Sequence, residues 1–302
     1  MSCLAKLWRG LAASAVLFSA PALSQEGQGD VVYVPTPQIV VDELLRMAKI
    51  GPKDFLIDLG SGDGRFVITA AKKFGARGFG VDLDTYLLRM ARKNAQSEGV
   101  TERARFIEQN LFETELGEAT VISSYLLPEM NLKLRPRILA LKPGTRVVAH
   151  DYHMGDWYPD EQRDIPVPDK QVGTPGVSYL YLWHVPAKVA GKWQTRLNVG
   201  GKEVPYEIAF DQSFQILEGT LRAGAESAPL NGRLRGDEIT FTTQPKGSPG
   251  SQRHEFRGRV NFDTIEGTVR VGEGTAAREA KWTARLIALG PMRPAKDEVA
   301  GR

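Results

Sequence analysis

The sequence predicts a chain in two parts, an α/β fold with a mostly parallel sheet followed by a small all-β antiparallel barrel or sandwich. Up to about residue 187, short apolar runs alternate with helical patterns, which is typical of strand–helix–strand crossovers. From about Val189 onward the helical period is absent, and short alternating runs lie between Gly, Asn and Asp turns. We therefore predict one domain at residues 25–187, a second at 188–290, and a flexible tail at 291–302.

The first helix is predicted after "VYVPTP", where Thr36 can cap it and Pro37 can take the first helical position. Its apolar face is formed by Val40, Leu44, Met47 and Ala48. The next elements are predicted, in order, as a strand at "FLIDLG", a helix from about Arg65 to Phe74, a strand at "RGFGVDLD", a helix from about Thr85 to Ser97, strands at "ARFIEQN" and "ATVISSYLL", a helix from about Glu129 to Ala140, and strands at "RVVAHDY" and "YLYLWHVPA".

The second domain is predicted to contain six to eight antiparallel strands. The segments "EGTLR", "NGRLRGDEITF" and "RGRVNFDTIEGTVR" resemble variations on one hairpin, which indicates a weak internal repeat.

The N-terminus has the features of a secretory signal peptide at residues 1–24. Lys6 and Arg9 precede an apolar stretch from Leu11 to Ala20, and an Ala-x-Ser triplet ends at Ser24. The stretch is too short for a stable membrane anchor, so we expect an exported, periplasmic chain without a transmembrane anchor, or a cytoplasmic one if the leader is not functional. The one cysteine, Cys3, lies in this leader, so the mature chain would have no disulfide, thiol nucleophile or cysteine metal site.

The charge balance disfavours a nucleic-acid partner. The net charge is only +3, and no block of five or more Lys and Arg residues is present.

A glycine-rich turn, "DLGSGDGR", joins the first strand to the following helix. Gly60, Gly62 and Gly64 allow a sharp turn and the close approach of a ligand to the backbone. The spacing does not fit a dinucleotide fingerprint, and the Gly-Lys-Ser/Thr of a phosphate loop is absent.

Carboxylates surround this turn. Asp58 and Asp63 would repel a pyrophosphate but suit a ligand with a positively charged amino group. Asp82 ends the second strand, where an acidic side chain can accept hydrogen bonds from ribose hydroxyls. The pattern predicts a site for a cationic nucleoside.

With "IDLGSGDG" and "GVDLD", residues 31–185 resemble class I S-adenosylmethionine (SAM) methyltransferases, which implies a Rossmann-like sheet and SAM as the cofactor. "YVPTP", "DLGSGDGR" and "DW" more closely resemble the lysine methyltransferases of mitochondrial carriers and the ATP synthase c-subunit. That resemblance makes Tyr33 and Thr36 candidate SAM neighbours, with ordinary helix capping as the alternative. Asn110 stands where the superfamily has an Asp that binds the adenine amino group, and Leu111 and Phe112 either sandwich the ring or belong to the core.

For the chemistry, we expect the acceptor site just beyond the fourth strand, in "SSYLLPEMN". Tyr125 is the candidate to position the acceptor. Glu129 either accepts a proton from the acceptor or orients it, or is a first-turn residue favoured by the helix dipole. Asp151 and Tyr152 are candidate substrate contacts, and Trp157 either covers the same opening or is core.

We expect no metal, because His150, Asp151 and His153 at one strand end are more typical of a polar pocket rim.

The sequence thus predicts a SAM-dependent methyltransferase acting on a protein lysine, with a β domain that selects or docks the substrate. Methylation of a small molecule, and a non-catalytic binding module in the periplasm, are the alternatives.

Overall fold

A computed structural model of the protein describes residues 33–199, 202–244, 252–272, 274 and 277–293. The predicted leader, the first residues of the predicted first domain (25–32) and nearly all of the predicted tail lie outside these ranges. The first part of the described chain contains, in order, α1 Gln38–Met47, β1 Phe55–Leu59, α2 Arg65–Phe74, β2 Arg77–Asp82, α3 Thr85–Ser97, β3 Ala104–Glu108, β4 Val121–Ser124, α4 Pro128–Ile138, β5 Arg146–His150, β6 Glu161–Pro166 and β7 Val177–His184.

These strands form one seven-stranded sheet in the order β3-β2-β1-β4-β5-β7-β6. β1 to β5 are parallel, and β7 and β6 run antiparallel at one edge. Neighbouring side chains of β1 enter different cores: Leu56 packs with α1, α2 and α3 on one face, and Ile57 packs with α4 on the other. Because the central strands are parallel, the loops that follow β1, β2 and β4 meet at one edge of the sheet.

The second part is a closed barrel of eight antiparallel strands. The strands are β8 Gly191–Val199, β9 Lys202–Ser213, β10 Ile216–Ala223, β11 Glu226–Arg235, β12 Glu238–Thr243, β13 His254–Asn261, β14 Thr264–Val271 and β15 Arg278–Leu289. β15 pairs with β8, and β9 with β10, which closes the ring. The predicted all-β domain is therefore confirmed, in its barrel form.

Glycines inside the strands explain the weak repeat. A Cβ on Gly219 or Gly267 would lie 1.9 Å from a carbonyl oxygen of the neighbouring strand. Glycine at these positions lets strands approach and bend closely enough to close a small barrel. The interior is filled with aromatic rings: Phe241 stacks on Phe256 at 4.3 Å, and Trp282 lies edge-on to both.

The barrel contacts the sheet domain through the tip of its β9–β10 hairpin. There Phe214 stacks on Trp157 at 6.1 Å and lies under the guanidinium of Arg135 on α4. The buried carboxylate of Asp160 accepts from the backbone N–H of His184 at 2.7 Å and pairs with Arg233 of β11 at 2.6 Å.

Three details differ from the sequence predictions. Pro37 is the N-cap of α1, and Thr36 does not cap the helix because its hydroxyl bonds His150 instead. β6 was not predicted, since its sequence "EQRDIP" is polar and it pairs only with β7 at the sheet edge. Trp157 is fully buried, so of its two interpretations the core one is correct.

None of the helices in the described part of the chain has the length and apolar composition that a membrane span requires.

Candidate active site

A cavity of about 320 Å³ opens at the edge of the sheet where β1, β2 and β4 end. Its wall comprises the segment before α1, the glycine loop, the residues after β2 and β3, and the start of α4. Every lining residue lies between Tyr33 and Lys133, so the wall belongs to the sheet domain.

The glycine loop makes the predicted sharp turn. The φ angles of Gly60, Gly62 and Gly64 are +77°, +52° and +84°, a region that favours glycine. The N–H groups of Gly60 and Ser61 both donate to the Val81 carbonyl, at 3.0 and 2.9 Å, which holds the loop against β2.

At two of the three glycines, the missing side chain makes room for the aromatic ring of another residue of the protein. A Cβ on Gly62 would lie 2.3 Å from the ring of Tyr33, and one on Gly64 would lie 2.5 Å from the ring of Phe106. Gly60 lines the cavity, whereas Gly62 and Gly64 are not among its lining residues. The expectation that all three expose bare backbone to a ligand is therefore corrected at Gly62 and Gly64.

Asp58 is the buried carboxyl of the cavity wall. Burial raises the pKa of Asp58 to about 7, and the charges of Asp82 and Asp63 also act to raise it. The hydrogen bond from Ser123 acts to lower this pKa but is outweighed. The Ser123 hydroxyl donates to Oδ1 at 2.6 Å. A cation in the cavity would favour the ionised form of this group.

Asp63 is already paired. Its oxygens accept from Nε of Arg65 at 2.9 Å and from Nη2 at 2.6 Å. Burial acts to raise the pKa of Asp63, but the hydrogen bonds and charge of Arg65 outweigh it and lower the pKa. The expectation that Asp58 and Asp63 both offer free charge to a cation is thus corrected, because Arg65 compensates Asp63.

The Asp82 carboxylate shapes the loop. One oxygen accepts from the N–H of Gly62 at 2.9 Å and the other from the N–H of Asp84 at 3.0 Å. Each carboxylate oxygen has further acceptor capacity, so the contact with ribose stays a prediction.

The segment before α1 covers one side of the cavity with Tyr33 and Thr36. The Thr36 carbonyl accepts from Arg65, and its hydroxyl lies 3.2 Å from Nδ1 of His150. Burial, aided by the charge of Asp63, raises the pKa of Tyr33 to about 12.

On the opposite side, Asn110, Leu111 and Phe112 line the cavity. The Asn110 side-chain oxygen accepts from the N–H of Phe112 at 3.0 Å, so it holds its own turn, and a bond to adenine stays a prediction. The Lys133 ammonium lies 4.0 Å from the centre of the Phe112 ring.

The predicted acceptor side is a group of aromatic rings. Tyr125 lines the cavity, lies 4.1 Å from the His150 ring and stacks on Tyr152 at 5.9 Å. Its hydroxyl donates to Oδ2 of Asp151 at 3.3 Å. Burial and the Asp151 charge raise the pKa of Tyr125, so it is a neutral phenol. Burial also lowers the pKa of His150 to about 4, so its imidazole is neutral at pH 7.

Glu129 does not belong to this group. It is exposed on the first turn of α4 and is not among the lining residues. The geometry favours its helix-dipole interpretation over a role as proton acceptor. The carboxylate beside Tyr125 is that of Asp151.

Sequence reasoning missed Lys170, whose ammonium lies 2.6 Å from Asp151. It lies in the connection between β6 and β7, far along the chain from Tyr125, and no local pattern marks it. Arg65 was also missed as a site residue, although its position directly after the third glycine was a signal. The described residues hold no group of three or more His, Cys, Asp or Glu side chains suited to a metal ion.

The residues present suit SAM. Asp58 can face its ammonium and Asp82 its ribose, while Leu83 and Leu111 provide apolar wall. Ser61 also lines this wall, but its Oγ is buried against Gly80, without a hydrogen-bond partner in the described structure. The fold and this site define a SAM-dependent methyltransferase.

Comparison with known proteins identifies the family. The family model described as the ANTKMT methyltransferase domain matches residues 58–161, which contain the glycine loop and β2 to β5. A protein-lysine N-methyltransferase from Saccharolobus islandicus is 44% identical over 133 residues, which is 43% of this chain and 83% of that protein. The chain belongs to the ANTKMT methyltransferase family, and SAM is its cofactor.

Two further known proteins each match about half of this chain. The lysine N-methyltransferase of the ATP synthase c-subunit from Xenopus laevis is 32% identical over 151 residues, which is 50% of this chain and 65% of that protein. A crystal structure described as an RNA methyltransferase from Salinibacter ruber, in complex with S-adenosyl-L-homocysteine, is 45% identical, with 52% of this chain and 96% of that chain covered and a TM-score of 0.46.

Proposed function

We propose that this enzyme methylates the ε-amine of a lysine side chain in a protein acceptor. Two relatives are described as lysine N-methyltransferases, one with a protein acceptor and one with the ATP synthase c-subunit. The observation that carries the proposal is the position of Tyr125, a neutral hydroxyl in the cavity wall supported from behind by a buried carboxylate.

Bound SAM supplies an electrophilic methyl group whose leaving group is a neutral thioether. The remaining requirement is an amine with a free lone pair in line with that methyl group. The Tyr125 hydroxyl donates a hydrogen bond to Asp151. Its oxygen can therefore accept a hydrogen bond from an N–H of the amine and orient the amine.

The acceptor must arrive as a neutral amine, and the ordinary pKa of a lysine is about 10.4. Tyr125 lines the cavity, and the rings of Tyr152 and the neutral His150 pack against it. Burial among such groups disfavours an ammonium and lowers the pKa of the incoming lysine. The transfer breaks the carbon–sulfur bond, forms the nitrogen–carbon bond and leaves a methylammonium product.

The test uses the full chain with radiolabelled SAM and a cell extract, followed by mass spectrometry of the labelled species. We expect label on protein lysines. Label on RNA, or on a small molecule only, would contradict the proposal; we favour protein over nucleic acid because the net charge is only +3.

Two matched variants test the site. Tyr125→Phe should lower kcat by about tenfold or more with an unchanged Kd for SAM, because it removes one orienting hydrogen bond. Tyr158→Phe, at a 75% exposed tyrosine outside the cavity wall, should keep wild-type kcat. Equal activity of the two variants would count against Tyr125 as the acceptor contact.

We also propose that the enzyme is exported, on the basis of the basic, apolar and small-residue segments of residues 1–24. Mass spectrometry of the chain purified from its native host should find an N-terminus at Gln25 in the periplasmic fraction. A full-length chain in the cytoplasm would contradict this.

A further inference from the structure

We propose that Lys170 is a positioning residue for methyl transfer. Its ammonium fixes the buried Asp151 carboxylate, and that carboxylate accepts the O–H of Tyr125 so that the tyrosine oxygen faces the acceptor amine. This inference rests on the proposed function and adds the group that acts behind its acceptor site.

The ammonium of Lys170 is buried, and each of its N–H groups has an acceptor. Its side chain is 5% exposed, and Nζ lies 2.6 Å from Oδ2 of Asp151. Nζ also donates to the carbonyls of Val177 at 2.5 Å and Thr174 at 3.3 Å. An ammonium has three N–H donors, and here all three have acceptors. Lys170 therefore acts as a fixed counter-charge and not as a methyl acceptor, which would need a free lone pair.

Asp151 is held in an unusual conformation. Its φ is +60°, which is uncommon for a residue other than glycine. Its N–H donates to the carbonyl of Tyr179 at 2.7 Å, and its Oδ1 accepts from the N–H of Tyr179 at 3.1 Å. Backbone strain of this kind persists where the surroundings enforce it and is common at functional sites.

Charge balance around Asp151 depends on Lys170. The side chain of Asp151 is 4% exposed, and a buried carboxylate without a counter-charge is strongly destabilised. His150, with Nε2 at 3.4 Å from Oδ1, is neutral because burial lowers its pKa to about 4. Tyr125, at 3.3 Å, is a neutral donor. The positive charge that faces the carboxylate is that of Lys170.

The β6–β7 connection is shaped around this pair. The N–H of Val167 donates to the Gly176 carbonyl at 2.8 Å, and the N–H of Gly176 donates to the Lys170 carbonyl at 3.1 Å. Gly173 has a φ of +76°, and a Cβ there would lie 2.9 Å from Oδ2 of Asp151. The loop thus brings both the ammonium and its own backbone against the carboxylate.

The consequence for catalysis lies in the direction of one hydrogen bond. An ionised Asp151 accepts the O–H of Tyr125, and the tyrosine oxygen then presents lone pairs to the amine. Without Lys170, the buried Asp151 carboxylate would lose the counter-charge that holds it in place, and the Tyr125 hydroxyl would lose its fixed direction.

The test compares Lys170→Met with Lys142→Met, which removes a charge from an exposed lysine, in wild-type and Tyr125→Phe backgrounds. In the wild-type background, Lys170→Met should lower kcat about tenfold to a hundredfold, the loss typical of a misplaced reacting group, with an unchanged Kd for SAM. In the Tyr125→Phe background it should lower kcat little further, because the hydroxyl through which it acts is gone. Lys142→Met should match its parent in both.

An equal loss of kcat in both backgrounds would show a merely structural role and overturn the inference. If Lys170→Met does not fold, the double variant Asp151→Asn/Lys170→Met, which leaves no buried unpaired charge, decides the question. Because both residues act only through the Tyr125 hydroxyl, the kcat of this double variant should be no lower than that of Tyr125→Phe, and a lower kcat would contradict the inference. Absence of lysine methylation by the wild type would overturn the proposed function, whereas normal wild-type methylation with an unaffected Lys170→Met would overturn this inference alone.

Discussion

Asp58 gives the cavity a pH dependence that can be measured. Because burial raises its pKa to about 7, about half of the SAM-free molecules carry a neutral Asp58 at that pH. The positive charge of SAM favours the ionised form, so binding releases a proton. We expect the Kd for SAM to fall as pH rises from about 5.5 to about 7.5, by at most about tenfold per pH unit. Isothermal titration calorimetry in this range measures it.

The control is Asp58→Asn, which keeps the side-chain oxygen that accepts from Ser123. It should flatten the pH dependence, whereas an equally steep profile would place the titrating group elsewhere. In the absence of SAM, the folding stability depends on pH in the opposite direction to the affinity for SAM. The folded-state pKa lies above the ordinary carboxyl value, so the contribution of Asp58 is full below about pH 4 and is lost as pH rises through about 7.

At the scale of elements, the glycine loop depends on space as well as on backbone conformation. Gly62→Ala and Gly99→Ala both place a side chain at positive φ, +52° and +67°, but a Cβ at Gly99 meets nothing within 4 Å. The left-handed backbone conformation should cost both variants about 1–2 kcal/mol of folding free energy, and the contact with Tyr33 adds to this cost in Gly62→Ala only. Gly62→Ala should also raise the Kd for SAM about tenfold, because it displaces Tyr33 and disturbs the bond to Asp82. Equal SAM affinity in the two variants would contradict the role of this contact.

Two hairpins of the barrel offer a second matched pair. Phe214 and Phe262 both lie at hairpin tips with φ near +50°, yet Phe214 packs on Trp157 whereas Phe262 is 94% exposed. Phe214→Ala should lower the free energy of unfolding by about 1–3 kcal/mol, less than a fully buried phenylalanine because Phe214 is half-buried. Phe262→Ala should stay within about 0.5 kcal/mol of wild type. Urea unfolding of both variants tests whether the Phe214 tip docks the barrel on the sheet domain.

For the whole molecule, Asp160 links the sheet to the barrel. Burial acts to raise its pKa, but hydrogen bonds from His184 and Arg233 outweigh it and lower the pKa. The stabilisation is therefore present at neutral pH and is lost as pH falls below about 4. Asp160→Asn should cost about 1–3 kcal/mol of folding free energy at pH 7, and the difference from wild type should shrink near pH 3.

The control is Asp211→Asn, which breaks an exposed pair with Arg293 and should cost under about 1 kcal/mol of folding free energy at either pH. A difference for Asp160→Asn that persists at low pH would argue against the ionic link.

At the same scale, much of the architecture followed from local patterns. The predicted helices Arg65 to Phe74 and Thr85 to Ser97 have the observed bounds, because amphipathic periodicity and capping are encoded within each segment. The polar edge strand β6 has no such signal and was missed. The cavity was also predicted in outline, since the glycine loop, Asp82 and Tyr125 all follow strands that end at one edge of the sheet.

What the sequence alone determined is therefore the described helices and strands other than β6, the sharp turn at Gly60 to Gly64 and the SAM-dependent class of the enzyme, because each depends on residues close together in the chain. The tertiary structure decided which side chains share the site. It fills the space beside Gly62 with Tyr33, leaves Glu129 in solvent and brings Lys170 to Asp151. These contacts, like the closure of the barrel by the pairing of β15 with β8, depend on how distant segments pack together, and hydrophobic periodicity carries no information about such partners.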